Sequence, residues 1–119
     1  MSAQQQTSIR DRKLDDTTSS MCGVTMSDSV EGRTVAEIME GKPGVQVTRY
    51  PAMIRIDADG RLTFDMDEIS EALGDDMDPY AFQIEMSTHY GRMEIVDDRT
   101  LVLFGNLDEY MEEFGAVED

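Results

Sequence analysis

One polar stretch stands out among the residues that could bind or react, because it contains the only histidine of the chain. Ser87, Thr88, His89 and Tyr90 follow one another, and a glycine and Arg92 come next. Hydroxyl, imidazole and guanidinium groups in such a run can exchange hydrogen bonds with a ligand or a partner protein. A stable fold does not require this run. We therefore interpret it as a contact surface.

The other reactive side chains do not form a recognisable catalytic or metal site. Cys22 is the single cysteine, and with His89 it gives neither a zinc ligand set nor a convincing Cys–His nucleophile pair. The turn at Asp57, Asp59 and Gly60 faintly resembles a calcium loop, but two of its ligand positions carry unsuitable side chains. A glycine-rich phosphate loop is also absent from the sequence. We expect no catalytic residues, no metal site and no cofactor.

Charge limits the classes of partner. The 119 residues include 10 basic and 26 acidic side chains, which gives a net charge of −16. Such acidity repels nucleic acid phosphates, whereas it suits a partner with a basic surface or serves solubility alone. No apolar run reaches the roughly 20 residues of a membrane span. Without a hydrophobic signal segment and with one cysteine, we expect a cytoplasmic protein that does not contact membranes.

Charge also divides the chain into a tail and a domain. Residues 1–20 hold three basic and three acidic side chains, so the whole net charge lies in residues 21–119. The tail has few apolar residues and cannot bury enough surface to offset its conformational entropy. We expect residues 1–20 to be disordered in isolation, with folding on a partner as the alternative. Residues 21–119 are expected to form one small domain.

Three segments of the domain carry the signature of a helix start, an Asp or Asn followed three residues later by Glu. These signatures begin at Asp28, Asp65 and Asn106 and predict short amphipathic helices that end near residues 40, 74 and 115. Between the second and third helices, Asp78-Pro79 predicts a single helical turn, because proline suits the first helical position.

Strands fill the gaps between the helices. Asp59-Gly60 predicts a two-residue hairpin turn between residues 53–57 and residues 61–64, and a second hairpin is expected across Asp97-Asp98. The element order indicates an α+β domain, built of two similar strand-and-helix units packed at a corner. The strands of the second hairpin are residues 92–96 and 100–104. Two further strands are predicted over residues 21–26 and 45–50.

The polar stretch is predicted to lie on a long strand, since apolar and polar residues alternate from Phe82 to Met86 and beyond. The polar face of that strand consists of Glu85, Ser87 and His89. Thr88 and Tyr90 fall on the apolar side unless the strand bulges. The alternation therefore predicts which side chains of the polar stretch a partner would meet.

Four segments, taken in their order and spacing, resemble a known protein family. They are MCGVT at residues 21–25, YPAMIRI at 50–56, a helix start with FD at 64–65 and DE at 67–68 followed by ALG at 72–74, and STHYGRM at 87–93. They resemble the coupling (effector) proteins of soluble diiron monooxygenases, the MmoB/DmpM family. The resemblance runs from Met21 to about Phe114 and is strongest to the members that serve propane and cyclic-ether (tetrahydrofuran-type) monooxygenases.

The resemblance implies a regulatory protein without cofactor or active site. Family members bind the hydroxylase near its diiron centre and couple NADH-driven oxygen activation to hydrocarbon hydroxylation, and competition with the reductase is a further expectation. Ser87 and His89 are expected to face the hydroxylase, with Arg92 pairing with an acid or a backbone carbonyl. The stretch that would face the hydroxylase is Glu85, Ser87, Thr88, His89, Tyr90, Gly91 and Arg92. The family fold, a corner of two β-α-β-β units, agrees with the predicted order.

Two other classes of protein remain open. One is a free-standing acidic interaction protein, such as an inhibitor or adaptor that covers a basic partner surface. The other is a small enzyme or a calcium binder. Stabilisation by calcium would support the binder, and catalysis by the chain alone would support the enzyme.

Overall fold

The computed structural model describes residues 20–105 and residue 111. The predicted tail, apart from its last residue, and the predicted helix over residues 106–115, apart from residue 111, lie outside the described residues. In chain order the elements are β1 (Met21–Ser27), α1 (Val30–Glu40), β2 (Val45–Arg49), β3 (Met53–Asp59), β4 (Arg61–Asp65), α2 (Met66–Leu73), α3 (Pro79–Glu85), β5 (Met86–Tyr90), β6 (Arg92–Asp97) and β7 (Thr100–Phe104).

The strands form two antiparallel sheets whose membership does not follow chain order. One sheet has the order β2-β3-β1-β5, and the other has the order β4-β7-β6. The predicted α+β class with two strand-and-helix units is confirmed. However, β4 joins the sheet made mainly by the second half of the chain, and β5 joins the sheet of the first half. The strand that carries the polar stretch is therefore an edge strand beside β1.

The hairpin predicted at Asp59-Gly60 is wrong, because β3 pairs with β1 and β2 whereas β4 pairs with β7. Gly60, at a φ of 92°, turns the chain from one sheet to the other. Its N–H donates to the Ser20 carbonyl at 2.7 Å, and its own carbonyl accepts from the Gly105 N–H at 2.9 Å. An Asp-Gly pair specifies a local turn, but the burial of each strand decides which strand it pairs with.

The core lies between the inner faces of the two sheets and the helices. Alternate residues of β1 and β3 are buried, and they pack in one cluster with apolar residues of β4, β7 and the helices α1, α2 and α3. Phe64 of β4 and Phe82 of α3 are both fully buried, with ring centroids 4.8 Å apart. Aromatic pairs at this separation add to the stability that their burial gives. This pair attaches α3 to the second sheet.

Packing of α3 overturns one prediction and extends another. The helical turn predicted at Asp78-Pro79 is a two-turn helix, capped by Asp78, whose side chain accepts from the Ala81 N–H at 2.8 Å. Residues 82–85 thus belong to α3, and the long strand predicted from Phe82 is wrong, since the observed strand starts at Met86. The alternation of residues 82, 84 and 86 was misleading, because burial of Phe82 against Phe64 favours the helix.

The other helix starts agree closely with the sequence signatures. Asp65 caps α2 by accepting from the N–H groups of Asp67 and Glu68, and the helix stops at Gly74 with a φ of 75°, as predicted. For α1 the cap is Ser29 rather than Asp28, because the Ser29 hydroxyl accepts from the Gly32 N–H at 2.9 Å. A side chain that accepts from these unpaired N–H groups stabilises a helix by about 1 kcal/mol.

The second predicted hairpin is confirmed, because β6 and β7 pair with each other. Its turn lies one residue later than expected, since Asp97 already pairs with Thr100. The turn also holds Arg99, whose Nε donates to Asp67 Oδ1 at 2.8 Å and whose backbone carbonyl accepts from the Met66 N–H. The hairpin turn is thereby tied to the start of α2.

Candidate partner-binding surface

The polar stretch is exposed on the edge strand β5. Ser87, Thr88, His89 and Tyr90 all have exposed side chains, whereas Met86 at the start of the strand is half-buried. Tyr90 remains 41% accessible although it is a large aromatic residue. Among the described strands, β5 pairs only with β1. An edge strand with four consecutive exposed side chains is a suitable contact surface for another protein.

A bulge changes the faces that the alternation predicted. Met26 of β1 is in register with Met86, and Thr25 is in register with Thr88, so Ser87 is the additional residue. The strand therefore bulges, and Thr88 and Tyr90 do not point into the core. A bulge of one residue shifts every later side chain of a strand to the opposite face.

The predicted grouping of Glu85, Ser87 and His89 on one strand face is wrong. Glu85 is the last residue of α3, and His89 is in register with Val24, a residue of the core. His89 is nonetheless exposed, because β5 lies at the edge of the sheet. Glu85 is half-buried, and its Oε1 accepts from the Ser29 hydroxyl at 3.2 Å. This hydrogen bond joins the end of α3 to the start of α1.

The two last residues of the predicted site lie where the chain changes sheets. Gly91 has a φ of 103°, and a Cβ there would lie 2.8 Å from Cys22 Cβ and 2.8 Å from the Phe104 carbonyl oxygen. Arg92 opens β6 in the second sheet, with its side chain 60% exposed and its Nε 3.5 Å from Glu94 Oε2. The predicted residues thus form a continuous surface strip from the end of α3 to the start of β6.

Sequence reasoning missed an array of three side chains beside this strip. The Tyr90 hydroxyl donates to Asp57 Oδ1 at 2.5 Å, and an Arg55 Nη donates to the same oxygen at 3.0 Å. Burial and the negative charge of Asp57 raise the pKa of Tyr90 to about 12. The hydrogen bond to Asp57 likewise raises the pKa of Arg55. Alternation along β3 places Arg55 and Asp57 on one face. The incorrectly predicted hairpin, however, gave no indication that β1 lies between β3 and the strand of Tyr90.

Exposed apolar side chains extend the surface at the other end of the same sheet. Tyr50, in the turn between β2 and β3, is 45% exposed, and Met53, the first residue of β3, is 43% exposed. Ile84 is 80% exposed and lies two residues before β5. Met53 is in register with Ser27, next to the Met26–Met86 pair, so these residues share one end of the sheet. The alternation pattern had assigned Ile84 to an apolar strand face.

The described residues provide neither a metal-binding cluster nor an activated thiol. Residues 20–105 contain no group of three or more His, Cys, Asp or Glu side chains arranged to hold a metal ion. The Cys22 thiol is fully buried, its Sγ lies 3.5 Å from the Leu103 carbonyl oxygen, and burial raises its pKa to about 11. A nucleophilic cysteine needs an environment that lowers its pKa, whereas the environment of this thiol raises it. Among the described helices, none has the length and apolarity to cross a bilayer.

Comparisons with known proteins agree on one family. The model of the MmoB/DmpM family matches residues 20–104. The propane 2-monooxygenase effector component of Gordonia sp. (strain TY-5) is 48% identical over 97 residues, which cover 82% of this chain and 86% of that protein.

Solved structures show the same similarity. A structure of the complex of phenol hydroxylase with its regulatory protein contains a chain with a TM-score of 0.64 and 31% identity, over 72% of this chain and 99% of that chain. Regulatory protein B of soluble methane monooxygenase, at 22% identity and a TM-score of 0.64 over 100% of this chain and 80% of that chain, shares the fold.

Proposed function

The chain belongs to the MmoB/DmpM family and is an effector component of a multicomponent monooxygenase, and we propose that it binds the hydroxylase component beside the diiron centre. In this proposal it has no active site of its own. It couples NADH-driven oxygen activation to the hydroxylation of propane or a cyclic ether, in the cytoplasm. The observation that carries the proposal is the 48% identity to a propane 2-monooxygenase effector component, across 82% of the chain.

The position of the polar stretch supports the proposed contact with the hydroxylase. Ser87, Thr88, His89 and Tyr90 are exposed on an edge strand, and Arg92 is largely exposed at its far end. The neighbouring apolar side chains include Ile84, which would lose contact with water in a complex. A partner surface that combines polar groups with aromatic and apolar anchors is typical of protein interfaces. The proposed contact set is Glu85, Ser87, Thr88, His89, Tyr90, Gly91 and Arg92.

The proposed coupling follows from differential affinity. An effector protein changes a hydroxylase only if it binds one conformational state more tightly than another. Preference for the state in which oxygen activation leads to hydroxylation would raise the product formed per NADH. Because the reductase must also reach the hydroxylase, we propose that the two proteins compete for part of its surface.

A titration tests the proposed function. Purified hydroxylase and reductase are combined with increasing amounts of this protein, and product formation and NADH consumption are followed with propane and with tetrahydrofuran. We expect product per NADH to rise and to saturate as the protein approaches equivalence with the hydroxylase. Unchanged rate and coupling at every concentration would refute the proposal. That result would favour an acidic interaction protein with another partner.

The double variant Ser87→Ala/His89→Ala tests the contact surface. We expect product per NADH to fall at least about twofold, because both side chains are exposed on β5, where the hydroxylase is proposed to bind. Stability should change by less than about 0.5 kcal/mol per site, as for most surface substitutions. The measurements are coupling with the hydroxylase and the urea midpoint of the free protein.

Thr63→Ala is the matched control, because Thr63 is an exposed residue of β4, an edge strand of the other sheet. It should leave coupling unchanged. If the double variant couples as well as this control and binds the hydroxylase equally tightly, Ser87 and His89 do not contact the hydroxylase.

A further inference from the structure

Tyr90 reaches across a neighbouring strand instead of extending from the sheet edge. Gly23 of β1 is in register with Asp57 on one side and with Tyr90 on the other. The Tyr90 hydroxyl nevertheless donates to Asp57 Oδ1 at 2.5 Å, although β3 and β5 are not paired. Only a strand position without a side chain leaves the space for such a contact.

The space above Gly23 is filled by the two side chains that meet there. A Cβ at Gly23 would lie 2.3 Å from Asp57 Oδ1 and 2.7 Å from Tyr90 Cε1, distances that real Cβ atoms essentially never show. It would also lie 2.9 Å from the Ile56 carbonyl oxygen, which belongs to the backbone. The Gly23 φ is not in the positive range. Glycine is therefore required here for space and not for backbone conformation.

Arg55 completes the array from the side of β3. One Nη donates to Asp57 Oδ1 at 3.0 Å, and the guanidinium carbon lies 5.9 Å from the centroid of the Tyr90 ring. The Asp57 side chain is only 14% exposed, so its carboxylate is largely withdrawn from competing water. A carboxylate that accepts two hydrogen bonds in this environment holds both donors in a defined orientation.

We infer that Gly23, Arg55 and Asp57 form a positioning device that fixes the Tyr90 ring across β1 at Gly23, so that it meets the partner as a preformed aromatic anchor. The inference rests on the proposed function, because Tyr90 belongs to the proposed hydroxylase contact. The ring is held at its tip by Asp57 and stays 41% exposed. Tyr90 is the anchor, and the other three residues act through it.

The positioning of Tyr90 increases affinity for the partner through conformational entropy. Tyrosine and arginine are enriched among the residues that dominate binding energies at protein interfaces. A side chain immobilised before association does not lose its rotamer freedom during association, and this freedom corresponds to roughly a two- to tenfold factor in affinity. Release of the Tyr90 tip should therefore weaken hydroxylase binding even where the ring itself is retained.

A double-mutant cycle tests the device. Affinity for the hydroxylase is measured for the full-length protein and for Tyr90→Phe, Asp57→Ala and the double variant. We expect each single variant to weaken binding by roughly two- to tenfold, and the double variant to be no weaker than the worse single variant, because both remove the same contact. Asp57→Asn should retain part of the affinity, since its amide oxygen can still accept from the tyrosine. Tyr80→Phe, at an exposed tyrosine of α3, should bind like the natural protein.

A measurement on the free protein separates this inference from the proposed function. Nuclear Overhauser contacts between the Tyr90 ring protons and Gly23 Hα should be present in the natural protein and weakened in Asp57→Ala. If those contacts are present but the natural protein does not bind the hydroxylase, the proposed function fails and the anchor role fails with it. If the natural protein binds and Tyr90→Phe binds as tightly as Tyr80→Phe, only the positioning device is refuted. Absence of the ring contacts from the free protein refutes it too.

Discussion

Replacing Gly91 by alanine should lower the free energy of unfolding by about 3 kcal/mol. Two independent costs contribute to this loss. A φ of 103° is unfavourable for any residue with a Cβ, which costs roughly 1–3 kcal/mol. In addition, the new Cβ would lie 2.8 Å from both Cys22 Cβ and the Phe104 carbonyl oxygen, and such crowding costs about 1–3 kcal/mol. Urea denaturation of the purified variant measures the loss.

Gly60→Ala is the control that separates these two costs. Gly60 also lies at a crossing between the sheets, and its φ of 92° is close to that of Gly91. Apart from its two chain neighbours, however, no described residue has an atom within 4 Å of its hypothetical Cβ. We expect Gly60→Ala to lose only the conformational part, roughly 1–2 kcal/mol. Equal losses in the two variants would show that crowding against Cys22 and Phe104 does not contribute.

The comparison also bears on the proposed interface. Gly91 is part of the predicted contact set, but the fold already requires a glycine there, because the chain changes sheets in a space limited by Cys22 and Phe104. Reduced hydroxylase binding by Gly91→Ala would therefore report mainly on the corner of the two sheets. The exposed residues of β5, such as Ser87 and His89, can be changed without this complication.

Local signals were sufficient to predict much of the fold. Asp65 and Gly74 delimit α2 as expected, because a capping side chain and a left-handed glycine act within a few residues. The strands predicted to begin at Met21 and Val45 begin at those residues in the structure. In these segments the local preference and the tertiary structure favour the same conformation, so the sequence pattern is reliable.

Pairing between strands could not be predicted in the same way, since it depends on residues far apart in the sequence. Asp59-Gly60 is typical of a hairpin, yet the chain passes from one sheet to the other at Gly60. The boundary between α3 and β5 was not predicted, for a related reason. Residues 82–86 fit a strand by alternation, but packing of Phe82 against Phe64 stabilises the helix. Tertiary contacts override weak local preferences.

The candidate site, too, could be predicted from the sequence only where it does not depend on strand pairing. Ser87 and His89 are exposed, as the polar run predicts, but His89 owes its exposure to the edge position of β5, which the sequence did not predict. The array of Arg55, Asp57 and Tyr90 depends on the order β3-β1-β5 and on the missing side chain at Gly23. Its three side chains come from β3 and β5, and the glycine between them comes from β1, so no sequence spacing reveals the array. Only the register shows that a glycine separates the two partners of a hydrogen bond.

The buried thiol of Cys22 should make the protein less stable in alkaline solution than at neutral pH. Burial, together with the negative charge of Asp57, raises the pKa of Cys22 from 9.0 to about 11. The folded protein therefore holds the thiol proton more tightly than the unfolded chain does. The resulting stabilisation is fully present below about pH 9 and is lost as the pH rises from 9 to 11. Since one pKa unit corresponds to about 1.4 kcal/mol, the loss at pH 10.5 should be about 2 kcal/mol.

Cys22→Ser isolates this contribution, because the serine hydroxyl fits nearly the same space, can donate to the Leu103 carbonyl and does not ionise in this range. The free energy of unfolding of both proteins is measured in urea at pH 7.5 and at pH 10.5. The natural protein should lose about 2 kcal/mol more than the variant between the two values. Tyr90, with its pKa of about 12, contributes to both proteins alike and cancels in the difference. Equal losses in the two proteins would mean that water reaches the Cys22 thiol in the folded state. The space beneath Gly91 and beside Gly23 would then be more open than the contacts of Cys22 indicate.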